Sequence, residues 1–171
     1  TGAGLGSLHP LQTFLGDDAP AMLRSVPAVL EGDIRAVSVG RDLAMSMGMV
    51  PIAVETGQKV RYHAAAVFAS NYLVALTAVA ERLARQAGLG EGRGLFLPLM
   101  RQTLINLTAE TPAEALTGPI RRGDVGTVRA HLDARSGPER TLYLALGREA
   151  LALAKPNLAA EQAEELGRLL A

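Results

Sequence analysis

The spacing of apolar residues changes once along this chain, near residue 55. Before that point apolar residues come in short runs closed by turn residues, the pattern of strands and connections. Gly6-Ser7-Leu8-His9-Pro10 reads as a short strand, stopped where Pro10 blocks further ladder pairing. Val26 to Glu31 is a second apolar run, closed by Gly32-Asp33. Ile34 to Met47 then takes helical spacing, with Asp33 as its N-cap and Gly48 as its stop. Val50 to Val54 is a third strand. Strand, helix and strand with short links predict part of a parallel sheet.

From Thr56 onward the spacing is helical to the end. The longest predicted helix runs from about Gln58 to Ala87, with Ala65, Phe68, Ala69, Tyr72, Leu76, Val79 and Leu83 on one stripe. Gly88 and Gly90 end it. Further helices are expected at about Leu95–Leu107, Val125–Ala134, Glu139–Ala154 and Leu158–Leu170. Thr111-Pro112, Gly118-Pro119, Gly137-Pro138 and Lys155-Pro156-Asn157 separate them. The expected fold class is therefore α+β, mainly α: a short remnant of a parallel α/β sheet over residues 1–54, then a helical domain over 55–171.

Composition narrows the function classes. The 171 residues are 49% hydrophobic but only 4% aromatic, so the core is to be built from Ala, Leu and Val. Seventeen basic residues cancel 17 acidic ones, which removes the electrostatic case for nucleic acid or an anionic membrane as partner. The absence of cysteine excludes disulfides, thiolate metal sites and cysteine nucleophiles, and fits a reducing cytoplasm. No charged-then-apolar leader opens the sequence, so no signal peptide is expected. The weakly polar run Ala64–Ala80 is broken by Ser70, Asn71 and Thr77 and is short for a bilayer, so a buried helix is the expected reading.

Candidate chemistry falls in three places. Lys59, the only lysine besides Lys155, stands four residues before His63 and eleven before Ser70, which puts all three in a narrow arc opposite the apolar stripe. Asn71 lies beside that arc. A positioned His or Lys can move a proton to or from a carbonyl or imine, while Ser or Asn hydrogen-bonds the atom on which charge develops. A solvated first turn with Ser70 and Asn71 satisfying backbone is the competing interpretation. In the loop Leu116–Asp124, Arg121 and Arg122 beside Thr117 and Gly118 could hold a phosphate or carboxylate, or could simply form a connection with Thr117 as cap. His9, at a strand end, could border a ligand if that end is the carboxyl end of a parallel sheet. His131 reads as a helix-surface residue, and three scattered histidines give no metal-ligand spacing. The opening Gly2-Ala3-Gly4-Leu5-Gly6 fails as a dinucleotide fingerprint, since Ser7 stands at the third glycine position and no strand precedes it.

Three segments together carry a resemblance: Gly6-Ser7-Leu8-His9-Pro10-Leu11-Gln12-Thr13-Phe14, Tyr62 to Leu73 (YHAAAVFASNYL), and Leu116 to Asp124 (LTGPIRRGD). In this order they resemble bacterial proteins that pair a Rossmann-like domain with a helical domain of unknown function. That family is similar in architecture to 6-phosphogluconate dehydrogenase and pyrroline-5-carboxylate reductase. The resemblance implies that residues 1–54 are the last strands of an NAD(P)-binding domain whose glycine-rich front half is missing here. It implies that 55–171 form a helical substrate-binding and dimerisation domain. On that footing the chain is part of an NAD(P)-dependent oxidoreductase acting on a small carbonyl or imine, or on the matching alcohol or amine. His63, with Lys59 as substitute, would handle the proton. Ser70, Asn71, Thr117, Gly118, Arg121 and Arg122 would hold the substrate, and His9 would border the cofactor, itself supplied mainly by a domain absent from this chain. The alternative is a non-catalytic helical dimerisation or ligand-binding domain. In either case the expected assembly is a homodimer.

Overall fold

The structure, a computed structural model, describes residues 2–16, 20–90 and 94–171. Its strands are β1 (Gly6–Pro10), β2 (Pro27–Gly32) and β3 (Val50–Ala53). Its α-helices are α1 (Ile34–Ser46), α2 (Lys59–Ala69), α3 (Asn71–Gln86), α4 (Leu97–Ala109), α5 (Pro112–Ala115), α6 (Gly118–Arg121), α7 (Val125–Asp133), α8 (Gly137–Ala154) and α9 (Ala160–Leu170). The fold is α+β and mainly helical, as the apolar spacing predicts. Two compact units divide at Ala78 and Val79, inside α3.

In the first unit the three strands form one sheet in the order β1-β2-β3. β2 and β3 are parallel and joined through α1, the βαβ unit expected from sequence. β1 is antiparallel to β2, which the sequence pattern does not reveal. The register pairs His9 with Val29, Leu8 with Leu30, Ser7 with Glu31 and Gly6 with Gly32. Side chains alternate between faces, so Leu8, Ala28 and Leu30 share one face while Ser7, His9, Val29 and Glu31 share the other. On the first face Ala28 joins a small core with Ala44 and Met49, against which Leu8 packs.

Asp33 shapes this unit. One carboxylate oxygen accepts from the Ala36 amide at 2.9 Å and caps α1, while the other accepts from the Leu5 amide at 2.7 Å. The glycine-rich start is thereby tied to the α1 N-terminus. Gly32 sits at φ 145°, and a Cβ there would fall 2.4 Å from the Gly6 Cα, so the two strands meet at this point with no room for a side chain.

The expected single, buried helix from Gln58 to Ala87 is corrected in two ways. Ser70 leaves helical geometry at φ −122° and ψ −70°, dividing the run into α2 and α3. The run is also exposed: Val60, Phe68 and Val74 are 80%, 71% and 70% accessible, and only Ala84 is buried. Phe68 and Tyr72 pack edge to face at 4.8 Å across the interruption. Hydrophobic spacing identifies an apolar face but not what covers it. Length and a mean hydropathy of 1.5 would also allow Lys59–Gln86 to cross a membrane, so the burial argument used against that reading does not hold.

In the second unit, Ile120, Val128, Leu132, Ala154, Leu166 and Leu170 from α6 to α9 form the core. Gly147 lets α8 and α9 approach, since a Cβ there would lie 2.6 Å from a Leu170 methyl. Gly137 and Pro138, expected in a linker, instead form the first turn of α8, where proline lacks only an amide that would have no partner. Thr111 and Glu114 form a reciprocal capping box on α5. His131 is half-buried rather than a surface residue: its Nδ1 lies 3.0 Å from the Tyr143 hydroxyl and the rings meet edge to face.

Candidate functional site

The site in the first unit grows from the sheet face opposite α1. β1 places His9 on that face, and the first turns of α2 bring two more rings to it. The His9 ring centroid lies 5.8 Å from that of Tyr62, tilted 32°, and 5.5 Å from that of His63, tilted 54°. Glu31, on the same face at the end of β2, accepts a hydrogen bond from the Gly57 amide and so fixes the link that leads into α2. Sheet and helix are therefore joined at the foot of the ring cluster.

The electrostatics follow from this packing. Burial holds the His9 pKa below its ordinary value of 6.5, with the charges of His63 and Lys59 adding to the effect. His9 is thus a neutral imidazole near neutral pH, able to donate from one nitrogen and accept at the other. Burial raises the Tyr62 pKa, helped by the Glu31 carboxylate, so the phenol keeps its proton. Two polar atoms of this cluster, His9 Nδ1 and Tyr62 Oη, are closed off from solvent without a hydrogen-bond partner. Such atoms are rare in folded proteins and mark positions where another group is expected.

The residues singled out from sequence divide between the two units. His9, Lys59, His63, Ser70 and Asn71 belong to the first, and Thr117, Gly118, Arg121 and Arg122 to the second. His9 and His63 are brought together. The ground given for His9 is corrected, however: β1 is an antiparallel edge strand, so His9, though next to its last residue, is not at the carboxyl end of a parallel strand but opposite Val29 of β2. Ser70 and Asn71 stand two turns beyond His63, about 10 Å along the axis at about 1.5 Å per residue. One small group cannot touch both ends of that arc. Ser70 is half-buried at the helix interruption and Asn71 is exposed.

Most of the Thr117–Asp124 segment has a constructional role. Gly118 takes φ 91° at the start of α6, and Ile120 enters the core. Gly123 takes φ 69° where a Cβ would lie 2.6 Å from the Gln162 side chain. Asp124 caps α7 by accepting from the Thr127 amide at 3.0 Å and hydroxyl at 2.7 Å, and these bonds hold its carboxyl below the usual range. Thr117 precedes α6 without capping it through its side chain, contrary to the capping alternative. Among the described residues no carboxylate lies within ion-pair distance of Arg121 or Arg122. Thr117 instead borders an open groove of about 480 Å³, with Gln102, Thr103 and Asn106 of α4 along its other wall.

Tyr62 and Glu31 are the site residues that sequence reasoning missed. Glu31 shares the sheet face of His9 by strand alternation, but only once the register is known. Tyr62 is adjacent to His63 in sequence and would have been found by asking which aromatic begins the long helix.

The N-terminus of α1 is where a βαβ unit of this kind would offer amides to a phosphate. Here the Asp33 carboxylate already takes the Ala36 amide. A second anion at this position would face that charge, so these residues do not fit the phosphates of a dinucleotide. Among the described residues no group of three or more His, Asp or Glu is arranged to hold a metal ion.

The structure is similar to protein TM1727 from Thermotoga maritima, with a TM-score of 0.75 and 30% identity, covering 88% of this chain and 62% of that one. It is also similar in fold to the "putative NADP oxidoreductase BF3122" from Bacteroides fragilis, with a TM-score of 0.71 and 24% identity, covering 86% and 57%. The chain thus spans less than two thirds of either structure. No curated protein sequence matches it. Residues 26–150 match the family described as Domain of unknown function (DUF2520), spanning the βαβ unit, Tyr62 and His63, and the Thr117–Asp124 corner but not His9, and the chain belongs to that family.

Proposed function

We propose that this chain is the substrate-handling part of an NAD(P)-dependent oxidoreductase, related in plan to 6-phosphogluconate dehydrogenase and pyrroline-5-carboxylate reductase. The observation that carries the reading is the His9–Tyr62–His63 cluster, where the exposed His63 imidazole contacts the His9 ring, which in turn contacts Tyr62, and the buried polar atoms of His9 and Tyr62 lack partners. The name of the Bacteroides fragilis neighbour supports the same chemistry. Since α1 does not suit a phosphate, the proposal puts cofactor binding in the part of the relatives' length that this chain does not span. Residues 55–171 would be the helical domain. The substrate is a small molecule, and the roles open to this chain are to bind it, orient it and move a proton.

In this reading His63, exposed and beside Lys59, exchanges the proton with the reacting group. Ser70 and Asn71 would hold a more distant part of the substrate, and Thr117, Gly118, Arg121 and Arg122 of the second unit are proposed separately as a site for an acidic group. The test is nicotinamide oxidation by the full-length protein against a panel of small carbonyls and cyclic imines. Turnover that falls on His63→Ala supports the proposal. The absence of turnover with every member of the panel, for both NADH and NADPH, would count against it.

A second reading, a non-catalytic helical dimerisation domain, is favoured by the exposed apolar face at Val60, Phe68 and Val74. The two are compatible if the active protein is a homodimer, and we propose that assembly.

A further inference from the structure

We infer that Tyr62 and His9 together receive a single ligand oxygen, so that the substrate class is a carbonyl or hydroxyl compound and not an amine. The inference rests on the oxidoreductase reading and assigns a role to Tyr62, which that reading leaves unused. It is carried by geometry: two contacting rings on one sheet face each present a buried polar atom with no partner. A polar atom closed off from water with nothing to bond is unfavourable, and here the two rings that carry such atoms are in contact. The arrangement is explained if a ligand supplies both bonds.

One oxygen meets both requirements whichever tautomer His9 adopts. If Nδ1 carries the proton, a carbonyl oxygen accepts from His9 and from the Tyr62 phenol. If Nδ1 carries the lone pair, a ligand hydroxyl donates to it and accepts from Tyr62. A carbonyl and its alcohol are thus held at one position by the same two side chains. An ammonium has no lone pair, so it would leave the Tyr62 proton unserved. It would also bring a further cation beside Lys59 and His63, whose charges His9 already feels. The other charged group facing the pair is Glu31, engaged by the Gly57 amide. Because both atoms are closed off, entry requires a ring to turn. His63, which is solvent-exposed, has the space to do so.

The experiment uses the full-length protein and two matched probe pairs, pyruvate with alanine and 2-oxoglutarate with glutamate. Binding is read from the His9 and Tyr62 ring resonances by NMR, and melting temperature is measured on the same samples. The 2-oxo acids should shift both rings and their amines should not. Tyr62→Phe keeps the ring and removes the hydroxyl, so it should weaken 2-oxo acid binding about tenfold or more while leaving the melting temperature unchanged or higher. A lower melting temperature for Tyr62→Phe would show that the hydroxyl has a structural partner and would overturn the inference. So would shifts caused by the amines instead, or by none of the four probes. If 2-oxo acids bind as expected but nicotinamide is never oxidised, the oxygen site stands and the oxidoreductase reading falls.

Discussion

The ring centroids of His9 and Tyr62 lie 5.8 Å apart although the residues are 53 positions apart in sequence, and the contact joins an edge strand to the first turns of α2. Burial acts on both groups in the direction that favours the neutral form. The cluster is therefore suited to neutral hydrogen bonding at ordinary pH, with His63 and Lys59 as the exposed, polar side of the same site.

The first prediction concerns pH. The folded His9 pKa lies below 6.5, so the unfolded chain binds its proton more readily than the folded one. The stability this group contributes is fully present above about 6.5 and is lost as pH falls through the folded value. Denaturant unfolding should show a decline over that acidic window that His9→Phe removes. A decline of equal size in His9→Phe would assign it to other groups.

His63→Ala tests the proton-handling role. His63 is exposed, so its removal opens no core cavity. Turnover in the full-length protein should fall by about a hundredfold or more with the melting temperature unchanged. An unaltered rate together with a lowered melting temperature would remove His63 from the catalytic role and favour the dimerisation reading.

The exposed face of α2 and α3 should be an interface between copies. Phe68→Asp puts a charge where the side chain is 71% accessible. In a monomer the change should cost little beyond the edge-to-face contact with Tyr72, about 0.5–1.5 kcal/mol. In the proposed homodimer it should shift sedimentation from dimer toward monomer. A wild-type protein that sediments as a monomer at high micromolar concentration would refute the interface.

Gly32→Ala should be among the most damaging single changes in the first unit. It combines φ 145° with a Cβ placed 2.4 Å from the Gly6 backbone. The expected loss is about 3 kcal/mol, from backbone strain and overpacking together. Thermal unfolding of the variant checks this, and a change below about 0.5 kcal/mol would mean that β1 and β2 separate at little cost.

What could be read in advance depended on how local the information was. Asp33 and Gly48 bracket α1 because a cap and a stop act on adjacent backbone. The parallel pairing of β2 and β3 followed from their short links through one helix. The direction of β1 did not, because the connection through residues 11–26 permits either orientation. Phe68 and Tyr72 sit at helical spacing whether their face meets a core or a partner, so burial could not be inferred from period. Glu31 and Tyr62 remained hidden because their roles depend on strand register and on the contact between the start of α2 and β1. Arg121 and Arg122 drew notice as charges, while their neighbours Ile120, Gly123 and Asp124 turned out to build the corner.

The contact of Gly6 with Gly32 constrains how relatives of this chain can diverge. A Cβ at Gly6 would fall 2.8 Å from the Ala36 side chain and 2.9 Å from the Glu31 carbonyl, and one at Gly32 would enter the Gly6 backbone. Neither position can enlarge while the other keeps its pairing, and a bulkier residue at 36 would press on the same spot. Substitutions here should thus arise together or not at all, so that descendants keeping an antiparallel β1 carry small residues at all three places. A lineage in which residue 6 or 32 has grown would have to pair this edge strand in another register, and a change by one residue would turn His9 away from Tyr62.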